Sequence, residues 1–432
     1  MNIRFYNAKI LTMENDQITE GEVWVQNERI LYIGDGTNTD EVYQELKLQS
    51  IVWDREIDCE GNLLMPGFKD AHTHSGMTFL RSYADDLPLQ DWLNDQVFPM
   101  EAKLDGEMIY HLTKLAILEY LTSGITAIFD MYLTPETIAD ACVDMGMRCV
   151  QVSGQNNFGP ATEVTEKRYL TLNQKHPLLS FFIGFHAEYT CSKEVLEDIV
   201  KLSHKYKTPV YAHISETQAE VDGCKERYGM SPVKLLDSMG MFEYGGGGYH
   251  CVYLDEEDMD IFKKHDLSVV TNPGSNTKLA SGIAPISDFL KKGINVAIGT
   301  DGPASNNCLD MFREMFLVTG LAKLREKDAA AVDAWEVLKM ATVNGSKAMN
   351  LPDTDVLAKG KLADIIMIDL HQPNMQPLNN IPKNLVYSGS KQNVKMTMIN
   401  GNILYENGCF MSEYDVEGIY RKANEIINGL KQ

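Results

Sequence analysis

The chain has 432 residues, 44% of them hydrophobic, enough for two or three domains or for one barrel of about 250 residues with a smaller domain beside it. Its formal charge of -22 excludes a partner gripped through phosphates, because nucleic-acid sites need a basic surface that releases counterions. Eight scattered cysteines without a C-x-x-C pair, a first stretch (MNIRFYNAKILTMENDQ) without a charged leader and apolar run, and no segment near the ~18 apolar residues of a membrane span predict a reduced, cytoplasmic protein with no membrane partner.

Residues 1 to about 61 alternate apolar and polar side chains (NAKILTM, EVWVQNERILYIG), the period of strands with one buried face. From about 65 to 302 a short β-rich run followed by a helical pattern recurs, as in a parallel sheet with crossover helices. Eight runs can be counted: MPGFKDAH (65–72), ITAIFD (125–130), RCVQVS (148–153), FFIGFHA (181–187), PVYAHISE (209–216), GYHCVYL (248–254), LSVVTNP (267–273) and NVAIGTD (295–301). Eight is the number that closes a barrel.

Between the runs, Ser192 is placed to cap a helix with Val195, Ile199, Leu202 and Tyr206 on one face. Asp255 to Asp258 open another that ends in Lys263, Lys264 and His265, matching the macrodipole at both ends. The glycines of Tyr244 to Gly248 read as a loop feeding the sixth strand. Residues 362–408 return to alternation (LADIIMIDL, VKMTMINGNILYENG), and Glu413 to Leu430 read as a capping helix. The expected fold is α/β, a (β/α)8 TIM barrel over 62–361 with a small composite β-sandwich domain from 1–61 and 362–432.

Buried parallel strands normally read as continuous apolar runs, so polar side chains inside them carry information. Here they fall at the C-terminal ends of the runs: His72 and His74 on the first, His186 on the fourth, His213 and Glu216 on the fifth, His250 on the sixth, Asp301 on the eighth. Active sites are built on that face of a barrel. His72 and His74, two apart on a strand, point the same way and can reach one ion. With His213 and Asp301 they make a nitrogen and oxygen donor set suited to one divalent ion, zinc first and iron as its alternative.

Taken singly, His186 and His250 also fit satisfied barrel histidines, and Glu101 a solvated helix residue. His111, His176, His204, His265 and His371 lie in polar or helical contexts and read as structural. The chain lacks H-E-x-x-H, P-C-x-x-C, G-x-x-x-x-G-K-[ST] and G-x-S-x-G, which removes those enzyme classes.

In order along the chain, MPGFKDAHTH, LPLQDWLNDQVFPMEAKL, FHAEYTCS, AHISET, HCVYLDEEDM, NPGSNTKLASGI, AIGTDGPASNN and GKLADIIMIDL resemble the amidohydrolase superfamily. The resemblance is specifically to its branch of 5′-methylthioadenosine and S-adenosylhomocysteine deaminases and related chlorohydrolases. The resemblance implies that His72, His74, His213 and Asp301 hold one metal, that Glu216 shuttles protons, and that His250 positions the attacking water. It implies further that Glu101 binds the ribose hydroxyls and that His186 contacts the substrate. Binuclear relatives carry a carbamylated lysine at the end of the fourth strand, where this chain has His186, so one metal is expected.

The residue types fit that chemistry on their own terms. Asp301 can take the proton of a water attacking C6 of a purine, and Glu216 can protonate the ring nitrogen, as a non-ligand glutamate does in zinc deaminases of other folds. At one position the chain departs from the pattern: Ser153 stands where an arginine is expected to grip a homocysteine carboxylate. Adenosine, 5′-deoxyadenosine and 5′-methylthioadenosine therefore stand beside S-adenosylhomocysteine as expected substrates. The rivals are a guanine, pterin or triazine amino- or chlorohydrolase on the same barrel and a non-catalytic scaffold; Glu101 favours a ribose-bearing small molecule over the first. A homo-oligomer is compatible with all of them.

Overall fold

The computed structural model describes residues 1–37, 42–44 and 51–431. The chain begins with β1 (Asn2–Leu11), β2 (Ile18–Gln26), β3 (Arg29–Gly34), β4 (Arg55–Asp58) and β5 (Leu63–Pro66). The barrel follows as β6 (Phe68–Thr73), β7 (Ile125–Asp130), β8 (Arg148–Val152), β9 (Leu179–Ala187), β10 (Val210–Ile214), β11 (Gly246–His250), β12 (Ser268–Thr271) and β13 (Asn295–Ile298). β14 (Ile365–Ile368), β15 (Val394–Ile399), β16 (Asn402–Glu406) and β17 (Cys409–Phe410) complete the strands.

β6 to β13 pair in parallel, each with its neighbour in sequence, and the sheet closes between β13 and β6 at the parallel bridge Thr73–Asp301. The expected (β/α)8 barrel is therefore present. Its interior is filled by Ala71, Phe129, Val150, Phe182, Tyr211 and Tyr249 among others, and Ala348 and Met349 close the N-terminal end. The Tyr211 hydroxyl donates to the Ala348 carbonyl at 2.6 Å there. A packed floor leaves the C-terminal ends of the strands as the face open to a ligand.

The remaining strands form one mixed sheet in the order β17-β16-β15-β14-β5-β1-β2-β3, with β4 on β1. Side chains from both of its arms, such as Phe5, Val23, Ile365 and Met396, share an apolar core separate from the barrel's. The Arg148–Asp364 pair joins sheet to barrel, Nε to Oδ2 at 2.6 Å, with both side chains almost fully buried. The C-terminal helix Val416–Leu430, capped by Asp415, packs through Ala423, Ile426 and Leu430 on Met77, Phe79, Trp92 and Met100 at the barrel mouth. Among the described residues, no helix is long and apolar enough to cross a membrane.

Two readings of the sequence need correction. The run MPGFKDAH is not one barrel strand: Leu63–Pro66 pairs with β1 and β14 in the mixed sheet, and the barrel strand starts at Phe68. The glycines before His250 are not a loop either, since Gly246–His250 is β11. A Cβ on Gly246 would lie 1.9 Å from the Val210 carbonyl oxygen, so glycine is what lets β10 and β11 come together there. The helix caps agree with expectation: Ser192 accepts the Val195 N–H, and Asp255 and Asp258 form a capping box.

Candidate metal centre

β6 and the residue that follows it bring His72 and His74 to the mouth on one side of the barrel, and the segment after β13 brings Asp301 beside them. The Asp301 Oδ1 lies 3.1 Å from His74 Nε2 and 3.6 Å from His72 Nε2. Gly299 permits this approach, because a Cβ there would sit 2.8 Å from the His72 Cβ and 2.4 Å from Asn272 Oδ1. His213, at the end of β10, places its ring 4.9 Å from that of His72 and 5.5 Å from that of His74. Two donor triads meet at His72, one with His74 and Asp301 and one with His213 and His250, each with ligand atoms within 4.8 Å of one another.

The residues fit a divalent cation. Both ring nitrogens of His72 are buried and have no hydrogen-bond partner in the protein, a costly state for a side chain with no other polar task. Burial, then the neighbouring imidazoles, pushes His72 and His213 well below the usual histidine range. A neutral imidazole is the form that binds metal. Against its own burial, Asp301 raises His74 to about 9. Asp301 itself is held well below the carboxylate range by His74, with burial opposing.

The ligand rings are oriented from behind. His74 Nδ1 pairs with the Met131 carbonyl oxygen, and His213 Nδ1 with the His186 carbonyl oxygen at 2.7 Å. Such partners fix ring orientation and leave Nε2 as the donor. The His72 ring stacks on Tyr249 with centroids 3.7 Å apart.

Glu216 lies one residue beyond the point where β10 breaks. Ser215 takes φ +52, and this left-handed step turns the next side chain into the mouth. Glu216 Oε2 then sits 3.8 Å from His250 Nε2, which is 3.9 Å from Asp301 Oδ2. His250 (φ +68) and Asp301 (φ +59) share the left-handed region, a strain of about 1–3 kcal/mol each for non-glycine residues that clusters at functional sites.

His186 lies at the rim of the cage, its ring 4.9 Å from that of His213 and its Nδ1 3.1 Å from Thr190 Oγ1. Burial, with His74 adding to it, lowers it to about 4. Glu101 ends the helix Phe98–Glu101 over the mouth, after a π-helical turn, Trp92–Val97, that precedes Pro99. Its enclosed setting raises its carboxyl to about 6, opposed by the Tyr132 hydroxyl and by His74. Ser153 stays in the barrel wall, its hydroxyl donating to the Gly184 carbonyl at 2.6 Å and accepting the Gly184 N–H at 2.9 Å.

The sequence reading missed a layer of buried carboxylates that hold the backbone next to the site. Asp70 accepts the Thr300 N–H and hydroxyl, Asp130 the Ser75 N–H, Glu220 the Ser215 and Glu216 N–H groups, and Glu314 the Gly274 N–H and the Asn306 amide. None of the four forms an ion pair among the described residues, and burial raises Asp70 to about 7 and Glu220 and Glu314 to about 8. Asp70 and Asp130 stood in apolar runs, the same signal that singled out the histidines. Tyr249, an aromatic in a strand, carried no such signal.

A sequence model described as "Amidohydrolase family" matches residues 63–404. The chain is 38% identical over 428 residues to a 5-methylthioadenosine/S-adenosylhomocysteine deaminase from Caldicellulosiruptor saccharolyticus, covering 99% of this chain and 98% of that one. It is 39% identical over 363 residues to a 5'-deoxyadenosine deaminase from Methanothermobacter thermautotrophicus, covering 82% and 84%. The crystal structure of an adenosine deaminase from Xanthomonas campestris with bound zinc superposes with a TM-score of 0.92 at 29% identity, covering 100% of this chain and 98% of that one.

Proposed function

The chain belongs to the amidohydrolase family, and from that membership we propose that it is a hydrolytic deaminase of adenosine-like nucleosides. The nucleoside is converted to its inosine analogue and ammonia. His72, His74, His213 and Asp301 would hold one divalent ion, zinc. When bound, such an ion lowers the pKa of water from about 15.7 to about 7 and so supplies hydroxide near neutral pH.

The chain's own residues divide the remaining work. Glu216 gives its proton to the ring nitrogen and Asp301 accepts a proton from the water that adds to C6. Asp301 hands that proton to Glu216, which delivers it to the departing amine and recovers a proton from the C6 hydroxyl as the carbonyl forms. His250, between those two carboxylates, orients the attacking water. Glu101 accepts the ribose hydroxyls from above, and His186 meets the purine at the rim. All eight cysteines are free, which supports a reducing, cytoplasmic setting.

The observation that carries the reading is the juxtaposition of two donor triads that share His72, one with His74 and Asp301 and one with His213 and His250, with a glutamate outside both, 3.8 Å from His250. With Ser153 committed to Gly184, substrates with a small neutral 5′ group, namely adenosine, 5′-deoxyadenosine and 5′-methylthioadenosine, are preferred to S-adenosylhomocysteine. The test is an ammonia-release screen of zinc-loaded protein over these four compounds, guanine, a pterin and a triazine. Turnover confined to the free bases or to the triazine would reject the nucleoside reading.

A further inference from the structure

The segment after β12 touches both polar groups that flank the cage. Asn276, in the helix Pro273–Lys278, sets its Oδ1 2.8 Å from His250 Nδ1. Ser281 donates its hydroxyl to Glu216 Oε1 at 3.0 Å. The two are coupled, since the Ser281 backbone N–H donates to the Asn276 carbonyl at 2.9 Å. Tyr253 braces the same turn from the other side, its hydroxyl donating to the Ser281 carbonyl at 2.7 Å and its N–H to the Ser215 carbonyl at 3.0 Å.

These bonds constrain protons as well as positions. An amide oxygen only accepts, so His250 must carry its proton on Nδ1 and present a bare Nε2. That Nε2 faces the gap between Glu216 Oε2 and Asp301 Oδ2, at 3.8 and 3.9 Å. Ser281 occupies one oxygen of Glu216, so the other alone is directed at the gap. Asn276 and Ser281 are 2% and 4% exposed, and water cannot readily replace either bond.

We propose that Asn276 and Ser281 are positioning residues: Asn276 fixes His250 in the Nδ1–H form with Nε2 as acceptor, and Ser281 fixes Glu216 so that Oε2 is its proton-carrying oxygen. The kinetic half of this rests on the deaminase reading. The tautomer half rests on the hydrogen bonds alone.

The test pairs kinetics with nitrogen NMR on the full-length protein labelled with 15N-histidine, zinc-free and zinc-loaded, with His250→Gln identifying the resonances. Wild-type His250 is expected to be protonated at Nδ1, and Asn276→Leu to lose that proton signal while Asn276→Asp keeps it. In kinetics, Asn276→Leu should lower kcat about tenfold or more with KM nearly unchanged and metal content retained, the order expected when one hydrogen bond to a reacting group is removed. Asn276→Asp should restore most of the rate. Ser281→Ala should lower kcat several-fold and Ser281→Thr recover it.

Wild-type His250 protonated at Nε2, or unchanged kcat in both Asn276→Leu and Ser281→Ala, would overturn the proposal. If Asn276→Leu does not fold, the wild-type spectrum and the Ser281 pair decide it. Wild-type protein that releases no ammonia from any nucleoside would reject the deaminase reading and leave the tautomer measurement standing.

Discussion

The Asp301 backbone N–H donates to the His72 carbonyl at 2.9 Å, so the hydrogen bond that closes the barrel joins two members of the cage. Filling the cage should therefore tighten the seam. Metal binding is expected at about one equivalent per chain and should stabilise the fold by about 4 kcal/mol at free metal a thousandfold above Kd. Chelation should lower Tm, and His213→Ala should bind no metal, show no metal-dependent shift and keep its circular dichroism. Two tightly bound equivalents, or a Tm indifferent to metal, would contradict this.

Glu216→Gln removes the titrating oxygen and keeps the shape. Metal content and substrate binding should survive while kcat falls by roughly 10²- to 10⁴-fold, the range of general acid and base catalysis. A rim carboxylate without a proton to carry would leave kcat near normal.

Glu101→Gln tests the ribose contact. Hydrogen bonds to a charged acceptor are worth about 1.5–3 kcal/mol, so kcat/KM on nucleosides should drop about ten- to a hundredfold, with free adenine little affected. Equal losses on both would remove Glu101 from that role.

Arg148→Met strands the Asp364 carboxylate, which against its burial is kept low by Arg148. The cost should be about 3–5 kcal/mol by urea unfolding, and Arg148→Met with Asp364→Leu should recover most of it, because removing one partner hurts more than removing both. A single variant as stable as the parent would show that the pair contributes little.

The barrel and the cage were legible because polar side chains are out of place at the ends of apolar parallel runs. His72, His74, His213, His250 and Asp301 all stood out for that reason. Their supports were not legible in the same way. Asn276 and Ser281 look like ordinary loop residues until tertiary structure brings them against His250 and Glu216. The β5–β6 boundary was missed because Leu63–Pro66 and Phe68–Thr73 are equally buried, and period alone cannot say which sheet a buried run joins.

That boundary bears on how the molecule is made. β5 pairs with β1 on one side within the first 64 residues, but its other edge belongs to Ile365–Ile368, some 300 positions later. During synthesis the segment leading directly into His72 waits with an open edge until nearly the whole barrel has left the ribosome. Long-range strand pairing of this kind is slow and exposed to aggregation. The strand that leads into the barrel is thus secured among the last, and a nascent chain truncated before residue 365 should be held by chaperones.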